Sequence, residues 1–191
     1  MSFAEAMARR RAMESGEIWA SDVHESRLWL GAGRDAQNLK SLRAHNITHI
    51  LNCADDVPNY HQNEPGLTYL CLGLVDFGGD DGSARVFPDA VSFVRSALVS
   101  PHARVLVHCA NGSNRSATVT IAVCMALLEL RLTAAWALVH ARREQAAPLA
   151  DNRRELLAYE RKVYNANSME EGAKGCLVPI RGSSIVLSRE P

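Results

Sequence analysis

The clearest signal along the chain is a change of hydrophobic period. Short apolar runs alternate with longer stretches in which apolar residues recur every three or four positions. Leu28-Trp29-Leu30-Gly31, Thr48 to Ala54, Leu67 to Val75 and Val105-Leu106-Val107 read as strands. Ile18-Trp19-Ala20 is a further short candidate, set apart from the next by the polar segment Ser21–Arg27. Between the runs lie helical patterns. Asp35 to Ala44 carries Leu39 and Leu42, and Phe87 to Val99 carries Ala90, Val91, Val94 and Leu98. Ser116 to Leu130 is apolar almost all round, which predicts a helix buried through the domain centre. Thr133 stands where an N-cap would open a helix over Ala134 to Arg143, and a last helical pattern follows Leu149. Strands alternating with helices predict an α/β fold, a mostly parallel central sheet flanked by helices.

The ends do not follow this pattern. Residues 1–16 are polar around Arg9-Arg10-Arg11 and read as a flexible, solvated extension. The basic triplet would also suit an acidic groove on a kinase. Residues 165–191 are rich in Gly, Ser and Glu, with one apolar patch at Ile185-Val186-Leu187, and read as a flexible tail. Residues 17–164 are left as the functional domain. An apolar share of 47% suffices for one core.

Charge and cysteine usage narrow the function class. Lys and Arg number 21 against 21 Asp and Glu, so a general binder of nucleic acid is not expected. No uncharged apolar run approaches 18 residues and no lipidation box is found, so no membrane association is expected either. The five cysteines, Cys53, Cys71, Cys109, Cys124 and Cys176, are odd in number and scattered, without a C-x-x-C pair or a signal peptide. That pattern suits a reduced, intracellular chain, placed in the cytoplasm with the nucleus as the alternative. The histidines are dispersed without zinc-ligand spacing, so neither metal nor cofactor is expected.

The chemistry concentrates in His108-Cys109-Ala110-Asn111-Gly112-Ser113-Asn114-Arg115-Ser116, between the last apolar strand and the buried helix. A loop at that junction borders the unpaired N–H groups and the partial positive charge of a helix start, so an anion is its natural occupant. Cys109 faces that field, which favours a thiolate nucleophile. Arg115 offers a planar fork matched to phosphate oxygens. Gly112 permits the tight backbone that turns N–H groups toward a common centre, and Ser116 brings a hydroxyl to the sulfur. Nucleophile, oxyanion cradle and positive clamp together suit phosphoryl transfer.

Spelled H-C-x-x-G-x-x-R-S, the stretch resembles the signature of the cysteine-based protein tyrosine phosphatase superfamily. The segments "LWLGAGRDAQNLKSLRAHNITHILNCA", "RLTAAWALVHARR" and "PLADNRRELLAYERKVY" are similar to dual-specificity phosphatase domains of the small, atypical kind. The resemblance covers about residues 17 to 164. It implies a phosphate-binding loop made of His108, Ala110, Asn111, Gly112, Ser113, Asn114 and Arg115, with Cys109 as nucleophile. It also implies hydrolysis through a cysteinyl-phosphate without metal, Ser116 assisting departure of the sulfur. The partners implied are phosphoproteins, with protein kinases among the candidates. Two departures stand out. Asn114 replaces a serine common in the family, and Leu149-Ala150-Asp151-Asn152-Arg153 replaces the usual Pro-Asn and aromatic ahead of the last helix.

Expelling an alkoxide or phenoxide requires a proton donor on a separate loop. Asp76 ends a strand expected to run parallel to that of Cys109, and its distance to Phe87 is similar to that of the family's general acid. Asp80 and Asp81 are the runners-up. His108, next to Cys109 in a strand, is expected to point to the other face and support the loop. Cys53 ends a neighbouring strand, either as a plain core residue or as a redox partner able to protect Cys109 through a disulfide. Ala110, Asn111, Ser113 and Asn114 include no lysine, which favours a substrate with a single phosphate over a polyphosphorylated inositol lipid. No long insertion lies between residues 54 and 70, so a shallow cleft admitting phosphotyrosine and phosphoserine or phosphothreonine is expected. The alternatives are a binding or scaffolding module with little turnover, and a phosphatase of the same superfamily acting on a non-protein phosphomonoester.

Overall fold

The computed structural model describes residues 20–76 and 82–181. Five strands form one sheet: β1 (Ser21–His24), β2 (Leu28–Ala32), β3 (His49–Ala54), β4 (Thr68–Leu74) and β5 (Val105–Cys109), in the order β1-β2-β5-β3-β4. β1 runs antiparallel to β2, and the other pairings are parallel. The helices are α1 (Gly33–Gln37), α2 (Leu39–Ala44), α3 (Phe87–Leu98), α4 (Arg115–Leu127), α5 (Leu132–Arg142) and α6 (Ala150–Tyr164).

The α/β architecture expected from the sequence is present, and burial explains it. β5 lies mid-sheet and is buried at all five positions, which is why it reads as an unbroken apolar run. Val105, Val107 and Cys109 join the larger core with residues of α3, α4, α5 and α6. Leu106 joins a smaller core with Ala36, Leu42, Ile47 and Ile50 on the α1–α2 face. α4 is buried at every position from Arg115 to Met125, as expected of a helix apolar all round.

Four local expectations need correction. The polar Ser21–His24 segment is itself the edge strand, held by pairing to β2 and by burial of Val23 alone, whereas Ile18 and Trp19 lie outside the described residues. The helix expected over Asp35–Ala44 is broken at Asn38, whose side chain accepts from the Ser41 N–H and starts α2 anew. Thr133 is inside α5 rather than capping it. The N-cap position is Arg131, and the first free N–H, that of Leu132, is satisfied by the Glu160 carboxylate at 2.8 Å. Residues 165–181, expected to begin a flexible tail, instead form a hairpin of β6 (Met169–Glu171) and β7 (Leu177–Pro179), with Met169 and Ser168 buried. Arg9–Arg11, Asp80, Asp81 and the 185–187 patch lie outside the described residues.

The sheet register positions the site. Cys109 pairs with Ala32, and His108 pairs with Asn52, so Cys53, the penultimate residue of β3, lies level with Cys109. Ala54 pairs with Leu74, two residues before Asp76. Parallel strands therefore deliver Ala32, Cys109, Ala54 and Asp76 to one edge of the sheet, at the carboxyl ends where α/β folds bind ligands.

Candidate active site

Residues 110–114 wrap around the start of α4, and the scaffold grips their carbonyls from outside. The Ala110 carbonyl accepts from Gly33 N–H at 3.1 Å, and that of Ser113 accepts from Ala147 N–H at 2.7 Å. The Asn111 carbonyl accepts from Gln145 Nε2 and, at longer range, from Arg143 Nη2. Arg143 Nε donates to the Gly112 carbonyl at 2.8 Å. In a planar trans peptide, C=O and the next N–H point opposite ways. Four carbonyls turned outward thus turn the N–H groups of Asn111, Gly112, Ser113 and Asn114 inward, which is an anion-binding nest. Gly112 makes the turn possible with φ +69°, and its side has no room: a Cβ there would sit 2.4 Å from the Gly31 carbonyl oxygen.

Cys109 is 2% exposed at the centre of this ring. Its Sγ accepts from the Gly112 N–H at 3.3 Å and from Ser116 Oγ at 3.2 Å. Two hydrogen-bond donors thus converge on the one sulfur.

Arg115, also 2% exposed, is anchored by one end of its guanidinium. Nη1 donates to Asp56 at 2.6 Å, to the Leu74 carbonyl at 3.0 Å and to Asp55 at 3.4 Å. Nη2 pairs with Asp76 Oδ2 at 3.3 Å. Nε is buried without a hydrogen-bond partner among the described residues. Burial opposes the charge, but the Asp56 hydrogen bond and the charges of Asp76, Cys109 and Asp56 outweigh it and hold the pKa above its ordinary value. In return, the Arg115 hydrogen bond lowers the pKa of Asp56. The guanidinium is therefore fixed through Nη1, and its Nε–Nη2 edge is the side left for two oxygens of an oxyanion.

Asp76 reaches the same place from β4. Oδ1 accepts from Asn114 Nδ2 at 2.8 Å, while Oδ2 faces Arg115. His108 is fully buried on the α1–α2 face, away from the thiol, because it shares the strand parity of Leu106 rather than of Cys109. Burial pushes its pKa down to about 4 against a weaker pull from the Cys109 backbone, so the ring is neutral at neutral pH. Cys53 is a free, fully buried thiol whose pKa burial pushes well up, with the nearby Cys109 adding to the rise. Among the described residues no cluster of three or more His, Cys, Asp or Glu could hold a metal ion, and no helix is long and apolar enough to cross a membrane.

Sequence reasoning passed over the residues that brace the loop. Arg143 is 8% exposed and bonds two loop carbonyls, yet in sequence it is one of two arginines ending a helix. Asp35 is buried behind the loop and caps the Ala32 N–H at 2.7 Å, and burial raises its pKa against that hydrogen bond and the charges of Arg143 and Arg34. The Asp55-Asp56 pair directly follows β3, and that adjacency to a strand running past the level of His108 is the signal that could have found it.

A family model described as "Dual specificity phosphatase, catalytic domain" matches residues 28–162. Human dual specificity protein phosphatase 9 is 36% identical over 150 residues, 78% of this chain but only 38% of that protein. Mouse dual specificity protein phosphatase 14 is 32% identical over 160 residues, covering 84% of this chain and 79% of that protein. The crystal structure of human DUSP28 superposes with a TM-score of 0.68 at 27% identity, over 75% of this chain and 94% of that one. The chain spans well under half the length of the first curated relatives it matches.

Proposed function

The chain belongs to the dual specificity phosphatase family, of the small atypical kind, and on that premise we propose that it hydrolyses phosphotyrosine and phosphoserine or phosphothreonine in proteins through Cys109. The observation that carries the reading is the ring of inward-turned N–H groups around the Cys109 sulfur, beside the buried guanidinium of Arg115 whose Nε has no hydrogen-bond partner among the described residues.

Each residue then has a task. The Cys109 thiolate attacks phosphorus in line while the loop N–H groups and the Nε–Nη2 edge of Arg115 hold the equatorial oxygens. As the S–P bond forms and the P–O bond breaks, Asp76 gives its proton to the departing oxygen. Asp76, now a carboxylate, takes a proton from the water that attacks the cysteinyl-phosphate, and phosphate leaves. Ser116 Oγ donates to the sulfur and eases its departure in that second step. The positive charge and donors come from the chain itself, so the scheme needs no metal. His108 is packed beneath the loop on the opposite face of β5 and stays neutral. Cys53, level with Cys109, is the residue to trap an oxidised Cys109 as a disulfide.

The substrate class follows from what surrounds the ring. The loop positions between Cys109 and Arg115 bring no cation, and Asp55 and Asp56 flank the anchored side of Arg115. One phosphate on a protein side chain suits this charge pattern better than a polyphosphorylated inositol. Phosphoproteins, kinases among them, are the partners proposed.

Turnover of an aryl phosphate and of phosphotyrosyl and phosphothreonyl peptides, in EDTA, tests the reading. Wild type is expected to turn over both peptides with inhibition by vanadate, and Cys109→Ser to lose at least 10³-fold. Turnover surviving in Cys109→Ser would mean a different nucleophile. Tight phosphopeptide binding without turnover by wild type would make the chain a binding module instead.

A further inference from the structure

The Asn114 side chain has both ends committed, and the three partners belong to two different elements. Its Oδ1 accepts from the Leu149 N–H at 2.8 Å and from Asn152 Nδ2 at 2.8 Å, at the start of α6. Its Nδ2 donates to Asp76 Oδ1 at 2.8 Å. A backbone N–H can only donate, so the amide atom beside Leu149 must be the oxygen, and the atom beside Asp76 must be the NH2 group. We propose that Asn114 is a positioning residue for the Asp76 acid: it ties the carboxyl to the start of α6 and reserves Oδ2 for the transferable proton. The proposal rests on the phosphatase reading above.

The assignment of the proton follows from donor count. Asn114 Nδ2 carries only donor hydrogens, so Oδ1 can face it only as an acceptor. A proton on Oδ1 directed at Asn114 would meet another proton. Oδ2 also faces a donor, Arg115 Nη2, but at 3.3 Å against 2.8 Å for the Asn114 bond at Oδ1. Protonation there disturbs the weaker contact, so Oδ2 is the oxygen left to carry the transferable proton. Transfer to the leaving oxygen then leaves the negative charge shared between both oxygens, with the Asn114 hydrogen bond strengthened as the charge appears. An interaction that strengthens along the step accelerates it.

The far end of the same loop is held by the same helix. Glu155 of α6 accepts from Ser83 Oγ at 3.1 Å and from the Ala84 N–H. The acid-bearing segment is thus fastened to α6 before and after residues 77–81. Asn114 is 8% exposed, and its backbone carbonyl accepts from Thr118 N–H in the first turn of α4, so the relay is fixed to the helix that carries Arg115. The departures at Asn114 and at Leu149-Ala150-Asp151-Asn152 are therefore one feature, because the first receives the hydrogen bonds of the second.

Asn114→Asp is the informative variant. It is isosteric and keeps an acceptor for Leu149 and Asn152, while replacing the donor facing Asp76 with a second acceptor. The assay compares phenyl phosphate, whose leaving group needs the proton, with p-nitrophenyl phosphate, whose leaving group needs it little. In Asn114→Asp, kcat/KM is expected to fall about tenfold more for phenyl than for p-nitrophenyl phosphate, the scale of one charge-assisted hydrogen bond. Placed on an Asp76→Asn background, Asn114→Asp is expected to add no further leaving-group discrimination. Equal losses for both substrates, or a discriminating loss that persists without Asp76, would overturn the proposal. An activity-independent arm uses the Asn114 side-chain amide signals in a nitrogen-15 spectrum: they should move in Asp76→Ala, and unchanged signals would also overturn it. If wild type turns over nothing, the phosphatase reading fails on its own, and the amide signals still decide whether Asn114 holds Asp76.

Discussion

Replacing Gly112 by alanine tests the phosphate-binding ring most directly, because two separable costs meet at that residue. The first is conformational: φ is +69°, and a left-handed conformation costs a non-glycine residue ~1–2 kcal/mol. The second is steric. An alanine Cβ would lie 2.4 Å from the Gly31 carbonyl oxygen, 2.7 Å from its carbon and 2.6 Å from Arg143 Nη2. Gly31 cannot retreat cheaply, since it pairs with His108 in the sheet and its own rear is closed by Asp35, Ala20 and Leu106. Forcing a methyl into such a site costs ~1–3 kcal/mol. If the loop holds its shape, the total destabilisation is about 2–5 kcal/mol. If the loop gives way, it breaks the Gly112 N–H contact to Cys109 and the Arg143 bond to the Gly112 carbonyl, and the cost moves from stability to activity.

Gly66→Ala separates the two costs. Gly66 also has positive φ, +87°, but nothing lies within 4 Å of a Cβ built there. It should show the conformational cost alone, ~1 kcal/mol, with unchanged turnover. Urea unfolding of both variants, with aryl phosphate turnover alongside, reads the difference. Gly112→Ala is expected either to lose at least 2 kcal/mol or to lose at least tenfold in kcat/KM. A Gly112→Ala protein within 0.5 kcal/mol and twofold of wild type would refute the ring geometry, whatever Gly66→Ala does.

Two further outcomes concern the frame. In the unfolded chain His108 takes a proton near its ordinary 6.5, but in the fold only near 4, so the unfolded state binds more protons between those values. Stability should therefore be unaffected above about 6.5, decline as pH falls toward 4 and level off below it. The shift corresponds to about 3 kcal/mol. Urea midpoints from pH 4 to 8 should show this slope in wild type and not in His108→Gln, and equal slopes would refute it. Glu160 is fully buried and accepts from Leu132 N–H, Ser168 N–H and Ser168 Oγ while pairing with Arg131 at 2.9 Å. Glu160→Ala should cost ~3–5 kcal/mol and expose the 165–181 hairpin to limited proteolysis, whereas an intact hairpin in the variant would show that it is held by other contacts.

What the sequence made legible and what it hid divide by the range of the interaction responsible. β5, α3 and α4 could be read directly because a central strand and a buried helix carry their environment in their own apolar pattern. β1 could not, because an edge strand with one buried residue, Val23, has no pattern to show. Thr133 looked like a cap by residue type, but the N–H of Leu132 finds its acceptor 28 residues away in Glu160. The hairpin after α6 is fastened by that same carboxylate through Ser168, not by an apolar stripe, so its composition resembled a tail. Asn38 was a cap signal in plain view, overridden by a helical period that continues across it.

The same division applies inside the site. The nucleophile, the arginine clamp and the Ser116 hydroxyl sit within nine positions of one another and announce themselves, but the shape that lets them act is imposed from elsewhere. The loop's carbonyls are held by Gly33 at the start of α1, and by Arg143, Gln145 and Ala147 in the connection from α5 to α6. Those four residues come from both sides of the chain's middle, and even Arg143 spends its guanidinium on loop carbonyls rather than on an anion. Their hydrogen bonds fix the peptide planes before any anion arrives, so the inward N–H groups need no reorganisation when charge develops on phosphorus. Asn114 extends the arrangement to the acid, since α6 meets the loop through it and meets the Asp76 segment again through Glu155. The nine-residue motif therefore specifies a nucleophile and a clamp, whereas the cradle is a property of the sheet edge and of the α5–α6 connection. A substitution at Arg143, which touches no reacting atom, should then disturb the ring as surely as one inside it.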